Sequence, residues 1–86
     1  MIFITLTKWK TAPTKEIVNN FTKKLRELEK QGIKMDVYWT LGSYNGVTIT
    51  EAANEKDVMK VLLPFAGLIE TETMAAIPRE EAIKLL

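Results

Sequence analysis

Cysteine and histidine are both missing from the 86 residues. The first absence excludes disulfides, thiol nucleophiles and thiolate metal sites together. The second removes the commonest general base and the commonest transition-metal ligand. An excess of either charge is missing too: Lys+Arg is 12 against Asp+Glu 11, a net charge of +1. Such a balance leaves no electrostatic footprint for a polyanion, so nucleic acid is not an expected partner. No apolar run approaches the roughly 20 residues that a helix needs to cross a bilayer. The N-terminal run Met1-Ile2-Phe3-Ile4-Thr5-Leu6-Thr7 has neither a basic leader nor a small-residue cleavage site, and it reads as a strand. The expectation is a cytoplasmic chain without a membrane partner.

What is present suits a globular protein: 47% of the residues are apolar and 27% charged, near the averages for soluble domains. A chain this short buries one core, so residues 1–86 read as a single domain. Residues 2–9 are β-branched and aromatic with alternation, the pattern of a strand. Thr11-Ala12-Pro13-Thr14 then supplies helix-start chemistry. Ile17, Val18, Phe21, Leu25 and Leu28 recur at helical spacing, and Gly32 closes that helix. Strands follow over about 33–41 and 47–52. Asn54, with Asp57 three residues on, opens a second helix that carries Val58, Val61, Leu62 and Phe65 inward and meets Pro64 near its end. A fourth strand over 68–77 and a short helix after Pro78, over 79–86, complete the chain. The predicted order is β-α-β-β-α-β plus a C-terminal helix, the split βαβ pattern of an α+β, ferredoxin-like antiparallel sheet with helices on one face.

The segment Val37-Tyr38-Trp39-Thr40-Leu41-Gly42-Ser43-Tyr44-Asn45-Gly46-Val47-Thr48-Ile49-Thr50-Glu51-Ala52 is the most distinctive part. Its Gly-x-Tyr-Asn step, between an aromatic strand and a strand ending Glu-Ala, resembles the hallmark Gly-x-Tyr-Asp step of the GYD family of small bacterial and archaeal proteins. Glu70-Thr71-Glu72-Thr73 is similar to a second step of that family. The likeness runs over nearly the whole chain in length and element order, although only these two segments carry specific motifs. It implies a ferredoxin-like fold of the dimeric α/β-barrel kind and no settled activity. Asn45 stands where the family usually has Asp, and Gly46 where an apolar residue is usual.

Alternation sorts the strand residues into two faces. Ile2, Ile4, Leu6, Ile33, Met35, Val37, Trp39, Val47, Ile49, Ile69, Thr71, Thr73, Ala75 and Ile77 form the more apolar set, expected beneath the helices. Phe3, Thr5, Thr7, Trp9, Lys34, Asp36, Tyr38, Thr40, Thr48, Thr50, Ala52, Leu68, Glu70, Glu72, Met74 and Ala76 form the other, expected on the open side. This division requires an odd number of residues in the hairpin loop near Gly42–Gly46. On it, Trp9, Tyr38, Thr7, Thr50, Glu70 and Glu72 are the candidate ligand-binding residues of an open sheet face. The same face, with Phe3, Leu68 and Met74, carries enough apolar area to predict a homodimer, or a ring of dimers, joined through the sheet. Glu70 and Glu72 lie two residues apart on one strand face, about 7 Å. No further acid is placed to complete a cation shell, so neither a metal nor a cofactor is expected. Tyr44 is expected to pack back over the hairpin. The apolar Ala82, Ile83, Leu85 and Leu86 are expected to cover the helices or clasp a neighbour.

The function these observations support is a small homo-oligomeric module that binds a small molecule, or acts as an interaction or regulatory unit, through its sheet face. The alternative is a cofactor-independent enzyme of the dimeric α/β-barrel kind, with an aromatic substrate against Trp9 and Tyr38. Lacking His, such an enzyme would use Tyr38, Glu72 or a lysine for proton transfer.

Overall fold

Alternating β-branched and aromatic residues form β1 over Ile2–Trp9, as the sequence predicts. The structure, a computed structural model, describes residues 1–86. Thr14 caps α1 (Lys15–Lys30): its Oγ1 accepts a hydrogen bond from the Ile17 amide at 3.2 Å. The helix ends at Gly32, whose φ of 86° is open to glycine at no steric cost, and the Ile33 amide reaches back to the Leu28 carbonyl. β2 (Lys34–Trp39) and β3 (Gly46–Glu51) form the hairpin. Asn54 caps α2 (Glu55–Leu62), accepting from the Lys56 amide, while Asp57 accepts from the Ala53 amide at 3.2 Å. Pro64 falls in a short 3₁₀ turn, Leu63–Phe65, where its missing N–H ends the α-helical ladder. β4 (Ile69–Ala76) and α3 (Arg79–Ile83) close the chain.

The four strands form one antiparallel sheet in the order β2-β3-β1-β4. This is the ferredoxin-like arrangement, and it places Asp36 and the Glu70/Glu72 pair on opposite edge strands.

The two faces differ from the sequence expectation in β1 and β3. Trp39 pairs with Gly46, so the loop between them holds the six residues 40–45, an even number. Val37 therefore shares its face with Thr48 rather than with Val47. Across the sheet, Phe3, Thr5, Thr50 and Ala52 lie buried beneath the helices, together with Leu28, Ile33, Val58 and Val61. Ile2, Ile4, Leu6, Val47 and Ile49 take the open side instead. Both sets in β1 contain large apolar residues, so alternation alone leaves the direction of burial to the hairpin register. Thr5 is tolerated inside because its hydroxyl meets that of Thr73 at 2.9 Å. In β2 and β4 the predicted faces hold, with Met35 packed against the core. Leu68, however, expected on the open side, precedes β4 and lies on the helix side next to Phe65 and Trp9.

The helices cover the sheet unevenly. Leu28, near the C-terminal end of α1, packs into the core with Ile33 and α2. Ile17, Val18, Phe21 and Leu25, toward its other end, are only half-buried. The core thus occupies one end of the sheet, around Phe3 and Ala52. The other end, around Thr7 and Thr48, is left beneath an unfilled space. α3 lies outside this frame, with Ile83, Leu85 and Leu86 all exposed, so it does not cover its own helices.

Candidate functional site: a cleft between the sheet and α1

The unfilled end of the sheet is a cleft of ≈ 360 Å³. Thr7, Trp9, Val37, Trp39, Gly46 and Thr48 line its floor, and the apolar face of α1 forms its roof. Two aromatic pairs frame it. The rings of Trp9 and Trp39 meet edge-on with centroids 5.0 Å apart, and those of Phe21 and Phe65 do the same at 5.0 Å. The cleft exists because Thr7, Gly46 and Thr48, in the middle of the floor, are small where the roof residues are half-buried. Gly46 pairs with both Trp39 and Thr7, so a side chain there would share their face and enter the same space.

The polar side-chain groups lining the cleft are threonine hydroxyls and the indole N–H groups of Trp9 and Trp39. Thr22 gives its hydroxyl to the Val18 carbonyl at 3.0 Å, as helical threonines do. Thr7 and Thr48 line the floor of the site. No charged side chain lines it. An occupant therefore meets aromatic and aliphatic walls with a few neutral hydrogen-bonding groups, the usual composition of a small-molecule site.

The position of Trp9 depends on Asn45. β3 begins only at Gly46, which would leave the Trp9 amide without a strand partner. The Asn45 side-chain oxygen accepts that N–H at 3.0 Å, and the Asn45 amide donates to the Thr7 carbonyl at 2.8 Å. The side chain thus continues the β1–β3 ladder by one step. An aspartate at this position has the same acceptor oxygen, which explains how Asn can replace the residue usual in the resembled family.

The preceding residue points the other way. Tyr44 crosses β1 on the open face and donates from its hydroxyl to Glu72 Oε2 at 2.8 Å. The Lys8 ammonium lies 5.2 Å from the ring centroid. The two distinctive steps of the sequence, Gly-x-Tyr-Asn and Glu-Thr-Glu-Thr, meet in this contact, where they flank a smaller hollow of ≈ 220 Å³. The hydrogen bond to Glu72, then the charge of that carboxylate, then partial burial hold the Tyr44 phenol above the ordinary tyrosine range. Tyr44 therefore spans the sheet to β4 and does not fold back over its own hairpin.

The six residues singled out in the sequence fall into two groups. Thr7 and Trp9 line the cleft, and Thr50 is buried in the core next to it. Tyr38, Glu70 and Glu72 lie on the open face, with Tyr38 58% exposed. A single site containing all six does not form, because the even hairpin loop turns β1 and β3 over relative to the expected faces. The cleft also recruits residues that periodicity reads as ordinary core. Phe21 and Leu25 carry the signature of a buried helix stripe, and nothing in that stripe reveals that the floor opposite is too small to fill.

Comparison with known proteins places this geometry. The family model described as the GYD domain matches residues 3–86. None of the curated proteins compared matches the sequence. Among solved structures, the Arabidopsis thaliana protein At3g17210 aligns with a TM-score of 0.64 at 10% identity, over 90% of this chain and 93% of that one. A dimeric ferredoxin-like protein of unknown function from Thermobifida fusca aligns with a TM-score of 0.53 at 14% identity, over 87% of this chain and 89% of that one. At such identities the likeness is one of fold.

Proposed function

Since the chain belongs to the GYD domain family, which carries no settled activity, its function is argued from its own cleft, and we propose a self-associating module that holds a small, largely apolar molecule between the sheet and α1. The observation that carries this reading is the ≈ 360 Å³ space itself, framed by two aromatic pairs and open to unengaged threonine hydroxyls. Its size falls within the range of sites for small organic ligands. The binding face of the module is thus the helix side of the sheet, and the open face serves association.

On that open face Ile2, Ile4, Leu6 and Val47 are half-buried, while Ile49, Met74 and Tyr38 are exposed. An apolar sheet face without helices over it is a surface for a partner. The occupant proposed is a second copy of this chain, since face-to-face packing buries the same residues from both sides. The protein from Thermobifida fusca, which shares the fold, is dimeric, and this supports the reading by analogy. The module acts in the cytoplasm on this proposal.

A cofactor-independent enzyme would need a proton-transfer group in the cleft. Tyr38, Glu70 and Glu72 lie on the opposite face, and no lysine lines the cleft, so the arrangement favours binding over acid–base chemistry.

The test is a titration with N-phenyl-1-naphthylamine, an uncharged probe that fluoresces in apolar sites. Saturable binding of one probe per chain is expected, abolished by Val37→Trp, which fills the cleft, in a variant whose circular dichroism is unchanged. Binding that persists undiminished in Val37→Trp, or no binding to the parent protein, overturns the proposal.

A further inference from the structure

The cleft narrows its own choice of ligand. Resting on the reading of this cleft as a binding site, we infer that it takes an uncharged, planar ring molecule bearing one hydroxyl or carbonyl group, and that Gly46 is the residue that makes room for it.

Three observations carry the inference. The walls are π-systems on two sides: Trp9 and Trp39 rise from the sheet, while Phe21 and Phe65 come from α1 and the turn after α2. Ring edges and faces complement a planar aromatic guest in ways that a flexible alkyl chain cannot use. Next, the wall contains no Lys, Arg, Asp or Glu. A charged ligand would lose its hydration there without gaining a counter-charge, so charge is selected against. The free hydroxyls of Thr7 and Thr48 can donate to or accept from a neutral group, and a site built to hydrogen-bond a ligand discriminates against one that lacks the matching group.

Gly46 sets the depth of the floor. It is buried and paired between Trp39 and Thr7, both of which line the cleft. A Cβ at this position would stand 3.8 Å from Thr7 Cβ and 3.3 Å from the Tyr38 carbonyl oxygen. It would therefore fill floor space beside the Trp9–Trp39 pair and press on β2. The glycine is not required by its own backbone, because its φ is not positive. Space, rather than conformation, is what this glycine provides.

The experiment compares three probes by isothermal titration calorimetry at neutral pH: 2-naphthol, 2-naphthoate and 1-octanol. 2-Naphthol is expected to bind at least about tenfold more tightly than either of the others, because 2-naphthoate brings an unneutralised charge and 1-octanol, which keeps the hydroxyl, lacks the ring. Gly46→Ala should weaken 2-naphthol about fivefold or more, the order expected for roughly one methyl group of lost space. Because that methyl presses on a backbone carbonyl, Thr7→Val provides a second variant of unchanged shape, expected to weaken 2-naphthol with an unchanged circular dichroism spectrum. Parental affinity in that variant overturns the role of the threonine hydroxyl. Equal affinity for 2-naphthoate overturns the neutrality of the ligand, and equal affinity for 1-octanol overturns its planarity. A folded Gly46→Ala protein with parental affinity overturns the role of Gly46. If none of the three binds while N-phenyl-1-naphthylamine does, this inference fails and the cleft reading stands. If no probe binds at all, the cleft reading fails with it.

Discussion

Tyr44 and Asn45 are neighbours in sequence anchored on opposite sides of the sheet. Asn45 holds the Trp9 amide and so fixes one wall of the cleft, through an acceptor that Asp also has. Asn45→Asp should keep the parental melting temperature, whereas Asn45→Leu should lose about 1 kcal/mol, or roughly 4–8 °C in a domain of this size. Calorimetric scans of the two variants would settle it: equal losses would mean the side-chain acceptor is not what matters. Tyr44 gives a pH prediction with a definite sign. Its phenol is held protonated by Glu72, so its folded pKa lies above the unfolded value. The stability it contributes is therefore complete below the ordinary tyrosine range and disappears as pH rises through the raised folded value. Removing the cause should reverse the shift. In Glu72→Ala the Tyr44 ring signals in NMR should titrate at lower pH than in the parent protein, and an unchanged midpoint would count against the hydrogen bond as its origin.

At the scale of elements, the unequal cover of the sheet by α1 separates a core end from a cleft end. Phe3 is 3% exposed and belongs to the core, whereas Trp39 is 62% exposed at the cleft although it is the larger ring. Phe3→Ala should cost about 3–5 kcal/mol as a large-to-small core deletion. Trp39→Ala should cost much less, while weakening whatever the cleft binds. Urea denaturation of both variants decides between this arrangement and the one that alternation suggests, in which Trp39 would be the core residue. Equal midpoints would place both rings in comparable surroundings. The hairpin loop 40–45 decides which face of β3 lies beneath the helices, since one residue more or less would exchange the faces of every side chain beyond it. The uneven cover by α1 decides that Trp39 is exposed at the cleft.

For the whole molecule, a sheet with helices on one side must still do something with its other side. Here that side is rich in Ile, Leu and Val, and its charged groups lie around the margin, Lys34, Asp36, Glu70 and Glu72 on the edge strands and Lys8 and Glu51 near the ends of the central ones. Such an apolar centre with a charged margin is the usual anatomy of an interface. Light scattering on a sizing column should give twice the mass of the 9.8 kDa chain at micromolar concentration. The double variant Ile4→Lys/Ile49→Lys, whose two side chains pair across β1 and β3 on the open face, should run as a folded monomer. A parent protein that is already monomeric, or a double variant that stays dimeric, would rule out association through this face.

The order of elements was open to reading in the chain itself, because each boundary has a local cause: Thr14 and Asn54 at helix starts, Gly32 at a helix end, Pro64 at the break after α2. Family membership was legible for a related reason, since a turn and its flanking strands make a short contiguous pattern. The faces of β1 were not legible, because Ile2, Ile4 and Leu6 are as hydrophobic as Phe3 and Trp9, and the choice between them lies in a hairpin register set by tertiary pairing. The cleft escaped for a different reason. It arises where half-buried Phe21 and Leu25 face Thr7, Gly46 and Thr48, and a shortage of volume between two layers has no signature in either segment alone. Local chemistry therefore determined which elements form, and only the packing of one layer over another decided which side is closed, which is open and where space remains.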